Sequence, residues 1–326
     1  MPIHLLSNSV SRRQFVSNVA GLASATVLAG WMQSGSSVQA LNAESVSEER
    51  WALLSDTHID ADAATSARGI NMADHLSQAV DEVLQLHATK PLAGLMVNGD
   101  CAYLEGKADD YSTLGTLIRP VSVKGIPIHL TLGNHDERTR IKLGFSNAFE
   151  SSDPTVSDAG TKQIAALEDK LASRLRGRFC DWYLLDSLDV TNKTPGTVGS
   201  QQLAWLEQSL KAETRRPALV MVHHNPQPVG LGKVSGLTDT DALLALLLQH
   251  RQVKALFFGH THVASTREIE GLHLVNLPAC AYHFSPDQPT GWTSAVVSAS
   301  GCALTLFDTA KAHPLHAREI CLPWRS

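Results

Sequence analysis

The sequence contains no CxxC pair: its five cysteines, Cys101, Cys180, Cys280, Cys302 and Cys321, stand far apart in 326 residues. Thiolate zinc sites draw their ligands from such pairs, and disulfide-stapled domains are much denser in cysteine. Neither a zinc knot nor a disulfide framework therefore defines this fold. An excess of positive charge is also missing. The net charge is -5 and the pI near 6.3, which gives no electrostatic reason to expect nucleic acid or an anionic membrane as partner. No internal repeat is detectable. With 43% hydrophobic and 18% charged residues, the chain can bury a sizeable core as ordinary globular protein.

The first forty residues differ from the rest. The stretch SRRQFV carries Arg12 and Arg13 with Phe15 two positions on, followed by a weakly apolar run from Val16 to Met32 rich in Ala, Gly and Ser. Small residues close it at Val38 and Ala40. This layout resembles a Tat-type signal peptide over residues 1–40, leaving 41–326 as the mature domain. It implies export to the periplasm and no stable membrane insertion once the signal is removed. Sec export, and membrane anchoring by an uncleaved segment, are the alternatives.

Along the mature chain, short apolar runs read as buried strands at Arg50–Ser55, Pro91–Val97, Gly125–Leu132, Cys180–Leu188, Pro217–Val222 and Val253–Phe258. Helical spacing appears over Gly69–His87, Tyr111–Ile118 (stopped by Pro120), Thr161–Leu175, Ser200–Glu213 with Ser200 as N-cap, and Asp239–Gln249. The polar stretch Glu137–Gly160 reads as a long loop, and two hairpins follow His262. Strands alternating with helices, then hairpins, predict an α/β domain with extensive sheet and no internal boundary.

What is abundant is metal-competent chemistry where apolar strands end. Asp56 and His58 follow the first strand and Asp100 the second. Asn134, His135 and Asp136 follow the third, His223 and His224 the run PALVMV, and His260 and His262 the run VKALFF. The carboxyl edge of an α/β sheet is where ligand sites form. Carboxylate, imidazole and amide oxygen without thiolate suit Mn, Fe, Zn or a similar divalent ion. A carboxylate can bridge two cations, and paired ions can activate water while clamping a phosphoryl group. His260 and His262, alternating along an extended segment, can serve one ion each.

The series DTH, GD, GNHD, HH, GHTH over Arg50–His262 resembles the calcineurin-like metallophosphoesterase signature in order and spacing, and is most similar to bacterial class III cyclic-nucleotide phosphodiesterases. The resemblance implies two mixed β-sheets packed as a sandwich flanked by helices. It implies two divalent transition-metal ions (Fe, Mn or Zn), one on Asp56, His58, Asp100 and His262, the other on Asp100, Asn134, His223 and His260. His135 would contact phosphate and protonate the leaving oxygen, while a metal-bound hydroxide attacks phosphorus. The partner implied is a small phosphodiester or phosphomonoester.

Two features bear on that expectation. Tyr103 lies three residues after Asp100, and VMVH matches a VxxH box, both as in purple acid phosphatases; those enzymes lack a histidine at the position of His58, which is favoured here over Tyr103 as ligand. GDCAYLEG lacks the arginine of Ser/Thr protein phosphatases, which speaks against a phosphoprotein substrate. The alternatives are a purple-acid-phosphatase-like monoesterase and a non-catalytic binding module of the same fold. Among other histidines, His224 reads as substrate-facing or packing, His129 as a satisfied core residue, and His75, His87 and His250 as surface or boundary. His283 is a candidate for the pocket, and Cys101 reads as a buried thiol.

Overall fold

The computed structural model describes residues 48–152, 159–227 and 235–326. The signal-peptide reading of residues 1–40 lies outside the described residues. In chain order the first elements are β1 (Glu49–Ser55), the two-strand hairpin β2 (Ser66–Ala67) and β3 (Ile70–Asn71), α1 (Met72–Thr89), β4 (Gly94–Asn98), α2 (Ala108–Val123), β5 (Ile128–Thr131) and α3 (Arg138–Gly144). Then come β6 (Lys162–Ile164), β7 (Ser173–Arg176), β8 (Asp181–Leu184), α4 (Ser200–Ala212), β9 (Ala218–Met221), α5 (Thr240–Gln249), β10 (Val253–Phe258), β11 (Ser265–Ile269) and β12 (Leu272–Asn276). The chain finishes with β13 (Gly291–Val297), β14 (Gly301–Asp308) and β15 (Glu319–Pro323).

These strands build two mixed sheets. One has six strands in the order β15-β14-β13-β1-β4-β5, the other seven in the order β11-β12-β10-β9-β8-β7-β6. Within them β1, β4 and β5 are parallel, as are β8, β9, β10 and β12. Side-chain alternation explains why the sequence runs are apolar throughout. In β1, Trp51 and Leu53 face the second sheet, joining Met96, Trp182, Met221 and Phe257 in one cluster. Ala52 and Leu54 face the opposite way and pack, with Leu95 and Val97, against Leu76 and Val80 of α1 and Leu114 and Ile118 of α2. The outer face of the second sheet does the same with Val220 and Leu256 against Leu206 and Leu210 of α4 and Leu243 and Leu247 of α5. The architecture is the expected helix-flanked sandwich.

Local assignments differ in four places. The stretch 161–175, expected as helix, supplies β6 and β7 instead. Pairing of β7 with β8, and the Arg174 guanidinium 2.5 Å from Asp181, override its helical spacing. The loop expected over 137–160 contains α3, whose first N–H groups, of Thr139 and Arg140, donate to the Glu137 carboxylate. Helix α2 continues through Pro120 to Val123. The carbonyl stranded by the missing N–H belongs to exposed Thr116, where water can satisfy it. The N-cap of α4 is Gly199, not Ser200; the Asp239 carboxylate accepts from the N–H groups of Val198 and Gly199.

The inter-sheet core centres on Trp182, edge-on to Trp51 at 6.0 Å and 5.2 Å from Phe257 between ring centroids. Replacing Trp182 by Ala should cost about 3–5 kcal/mol in urea unfolding, whereas Trp205→Ala, on the partly buried flank of α4, should cost clearly less. Equal losses would contradict this placement of the core.

Candidate dinuclear metal centre

The site forms where the parallel strands of both sheets end. β1 delivers Asp56 and His58, and β4 delivers Asp100. Asn134 and His135 follow β5, His223 follows β9, and His260 and His262 follow β10. To turn these side chains inward the backbone leaves the extended region. Asp56 (φ 54°), His58 (47°), Asp100 (45°), His260 (68°) and His262 (54°) all adopt the left-handed conformation. Such conformations cost non-glycine residues of order 1–3 kcal/mol each and persist only where surroundings enforce them. Close approach does part of the enforcing. A Cβ on Gly99 would lie 2.6 Å from His223 Nδ1, and one on Gly259 2.5 Å from Asp56 Oδ2.

Two carboxylates anchor the centre. Asp56 is fully buried, accepts from Ser55 Oγ at 2.5 Å and from the His260 N–H at 3.2 Å, and lies 3.3 Å from His262 Nε2. Asp100 accepts the His135 N–H at 2.9 Å on Oδ1, while Oδ2 lies 3.7 Å from His58 Nε2 and 3.3 Å from His223 Nε2. Asp100 thus lies between two sets of imidazoles, as a bridging carboxylate must. Three overlapping groups have donor atoms close enough to share an ion: Asp56, His58 and His262; His58, Asp100 and His135; and Asp100, His223 and His260.

Hydrogen bonding fixes which nitrogen points inward. His223 Nδ1 bonds the Asn98 carbonyl at 2.8 Å and His262 Nδ1 the Tyr282 carbonyl at 2.5 Å. A carbonyl only accepts, so each Nδ1 carries a proton and each Nε2 is the atom turned to the centre, where it can bind an ion once it carries no proton. His58 and His262 bring their Nε2 atoms within 3.1 Å of one another. Asn134 Oδ1 is buried with no hydrogen-bond partner among the described residues, and His223 Nε2 has only the Asp100 carboxylate, 3.3 Å away. Buried polar atoms without partners are rare, and a bound cation would satisfy Asn134 Oδ1. The residues fit a pair of ions.

The electrostatics agree. Although burial opposes ionisation, the His223 and His262 imidazoles beside Asp56, and the His223 and His58 imidazoles beside Asp100, hold both carboxyls below their usual range. Burial pushes His58 down to about 4, and burial together with His223 pushes His260 to about 4, so both stay neutral. Burial also opposes charge on His223, but Asp100 and Asp56 overcome it and raise the group to about 10. The field that holds a proton there is the field that would hold a cation.

Other residues fall as follows. His135 is half-buried, with Nδ1 2.9 Å from the Leu104 carbonyl. Asp136 does not face it; its carboxylate accepts N–H groups of Gly133, Cys101 and Ala102. The partner of His135 Nδ1 is thus a backbone carbonyl and not the neighbouring carboxylate. Tyr103 packs on the helix-side core, while His58 joins the cluster. His224 is buried, bonded to Ser187 Oγ at 2.8 Å, with its ring 4.8 Å from that of His260. His129 is buried as expected but not satisfied, since Nδ1 lacks a partner. Cys101 is buried. A cavity of about 460 Å³ opens over the centre, and Tyr282, Phe284, Thr194, Ser235 and Thr261 line it beside the cluster, but His283 does not. Alternation along CAYHF puts 282 and 284 on one side and 283 on the other, a signal the sequence does carry.

A two-sheet sandwich with a carboxylate- and imidazole-lined centre at its strand ends is the frame of a dinuclear phosphoesterase. The model of the calcineurin-like phosphoesterases matches residues 50–264, and the chain belongs to that family. It is a metal-dependent phosphoric ester hydrolase working with two divalent ions. The chain is 27% identical over 237 residues to a 3′,5′-cyclic adenosine monophosphate phosphodiesterase of Pseudomonas aeruginosa, covering 72% of this chain and 76% of that protein. A probable cyclic nucleotide phosphodiesterase of Synechococcus sp. is 28% identical over 210 residues, covering 64% and 72%. In fold the chain is similar to a dimetal phosphatase from Danio rerio, at TM-score 0.62 and 16% identity over 85% of this chain and 99% of that one. A purple acid phosphatase from yellow lupin superposes at TM-score 0.59 and 12% identity, over 85% and 54%.

Because His223 holds a proton up to about 10 in the ion-free protein, metal uptake at neutral pH must displace it. Calorimetric titration in buffers of different ionisation enthalpy should show about one proton released per chain, with affinity rising as pH increases toward that value. Uptake without proton release would contradict the electrostatics described.

Proposed function

We propose that this enzyme hydrolyses a phosphodiester, with cyclic nucleotides as the favoured class. One observation carries the reading: among the described residues no lysine or arginine lines the cavity around the ion cluster, and Arg68, at its rim, has its guanidinium over the Phe284 and Tyr282 rings. A phosphomonoester dianion gains from a further cation beside its second charge, whereas a diester carries a single negative charge and does not need one. The names of the relatives point the same way.

In this reading Asp56, His58, Asp100 and His262 hold one ion, and Asp100, Asn134, His223 and His260 the other. When bound, the pair supplies Lewis acidity toward the phosphoryl oxygens and the attacking water. Asn98 and Tyr282 orient His223 and His262 through their carbonyls, so that neither ring has to reorganise on binding an ion. His135 is the general acid. Its Nδ1 bonds the Leu104 carbonyl, which fixes the ring, and Nε2 is left to give a proton to the departing oxygen.

Purified protein loaded with Mn, Fe or Zn should show kcat/KM for 3′,5′-cyclic AMP and bis(p-nitrophenyl) phosphate at least about tenfold above that for p-nitrophenyl phosphate, a gap of about 1.4 kcal/mol in transition-state stabilisation. The reverse order would favour a monoesterase. His135→Ala should retain both metals and lower kcat on the cyclic nucleotide by about 10²–10⁴. The loss should shrink on bis(p-nitrophenyl) phosphate, whose leaving group departs unprotonated. Loss of metal, or equal slowing of both substrates, would remove His135 from the acid role.

A further inference from the structure

The wall of the cavity beside His262 has features that metal binding does not require. Phe284 stacks on the His262 imidazole, with centroids 4.2 Å apart and planes 18° from parallel, yet remains 52% exposed at the mouth. The Arg68 guanidinium lies 4.7 Å from the Phe284 centroid and 5.9 Å from that of Tyr282. No ion pair of Arg68 occurs among the described residues, so aromatic rings rather than carboxylates face its charge.

This wall is also built to stay in place. Arg68 and Gly69 form the two-residue turn of the β2–β3 hairpin, with φ of 52° and 80°. Positive φ at both positions is the mark of the tight hairpin turn whose twist matches its strands. Asn71, next in that hairpin, caps α1 by accepting the Asp74 N–H at 2.9 Å and donates to the Ala63 carbonyl at 3.0 Å. Ala67 packs on the helix-side core. A guanidinium is thus held over an aromatic ring at the rim, with its own plane available for stacking, next to a centre that takes the phosphate.

We propose that Phe284 and Arg68 form the platform on which the nucleobase of the substrate stacks, and that they set selectivity for nucleotide over base-free diesters. The proposal rests on the phosphodiesterase reading above. Every base presents a π-face to an aromatic ring or a guanidinium, and such contacts are lost on truncation to alanine. Thr194, Ser235 and Thr261 also line the cavity and offer hydroxyls to the ribose.

The test compares 3′,5′-cyclic AMP with methyl riboside 3′,5′-cyclic phosphate, which keeps the cyclic diester and lacks the base. Wild type should prefer the nucleotide. In Phe284→Ala the nucleotide-to-base-free ratio of kcat/KM should fall by about 10–100-fold, mostly through KM, and in Arg68→Ala by about tenfold. Phe284→Trp should restore the ratio, and metal analysis of each variant checks that His262 is still loaded. If wild type hydrolyses neither diester while cleaving monoesters, the phosphodiesterase reading fails. If wild type cleaves both, and the ratio stays within twofold in Phe284→Ala and Arg68→Ala, the platform is wrong and the diesterase reading stands.

Discussion

Two carboxylates, Asp56 and Asp100, lie buried within reach of the same histidines, and the rest of the structure is arranged around that fact. Burying a carboxylate costs several kcal/mol unless charge and hydrogen bonds offset it. Neutral imidazoles offset only part: burial keeps His58 and His260 uncharged, and the His223 imidazolium is shared between two anions. The deficit in positive charge is what makes the centre a cation site rather than a buried salt bridge. It also explains why the backbone N–H groups of His260 and His135 are aimed at the two carboxylates, one from each side of the site.

The same demand accounts for the backbone. Parallel strands alone would spread their end residues along two sheet edges. Sharp left-handed turns after β1, β4 and β10 fold them over a common point. Half of the described non-glycine residues with positive φ are these candidate ligands, so local strain is concentrated where the chemistry is. The sandwich supplies the energy that tolerates it. Three apolar clusters, one between the sheets and one on each outer face, hold the strand ends fixed regardless of the preference of any single turn residue.

That division explains what was legible in the sequence. Strands buried on both faces appear as unbroken apolar runs, and polar residues at their ends cannot be mistaken for core, so five strand ends and the candidate ligands were readable. The stretch 161–175 was not, because the pairing of β7 with β8 and the Arg174–Asp181 contact are made with residues outside it. Nor could the carbonyl of Leu104 be anticipated as the partner of His135, since a backbone atom has no signature in sequence. Phe284 and Arg68 are distant in the chain and meet only because the β2–β3 hairpin reaches over the mouth.

Asp136 carries the last connection. Its carboxylate accepts N–H groups from Gly133, in the loop after β5, and from Cys101 and Ala102, in the loop after β4; Tyr111 of α2 donates to it as well. It therefore locks Asp100 and Asn134 into one unit. Burial, and repulsion from Asp100, raise this carboxyl to about 6, although every donor around it favours the ionised form. An ion held by Asp100 would relieve that repulsion, so loading the centre would stabilise the carboxylate that holds two of its loops together. Metal affinity and the order of the site would then be coupled through a residue outside the candidate ligand set.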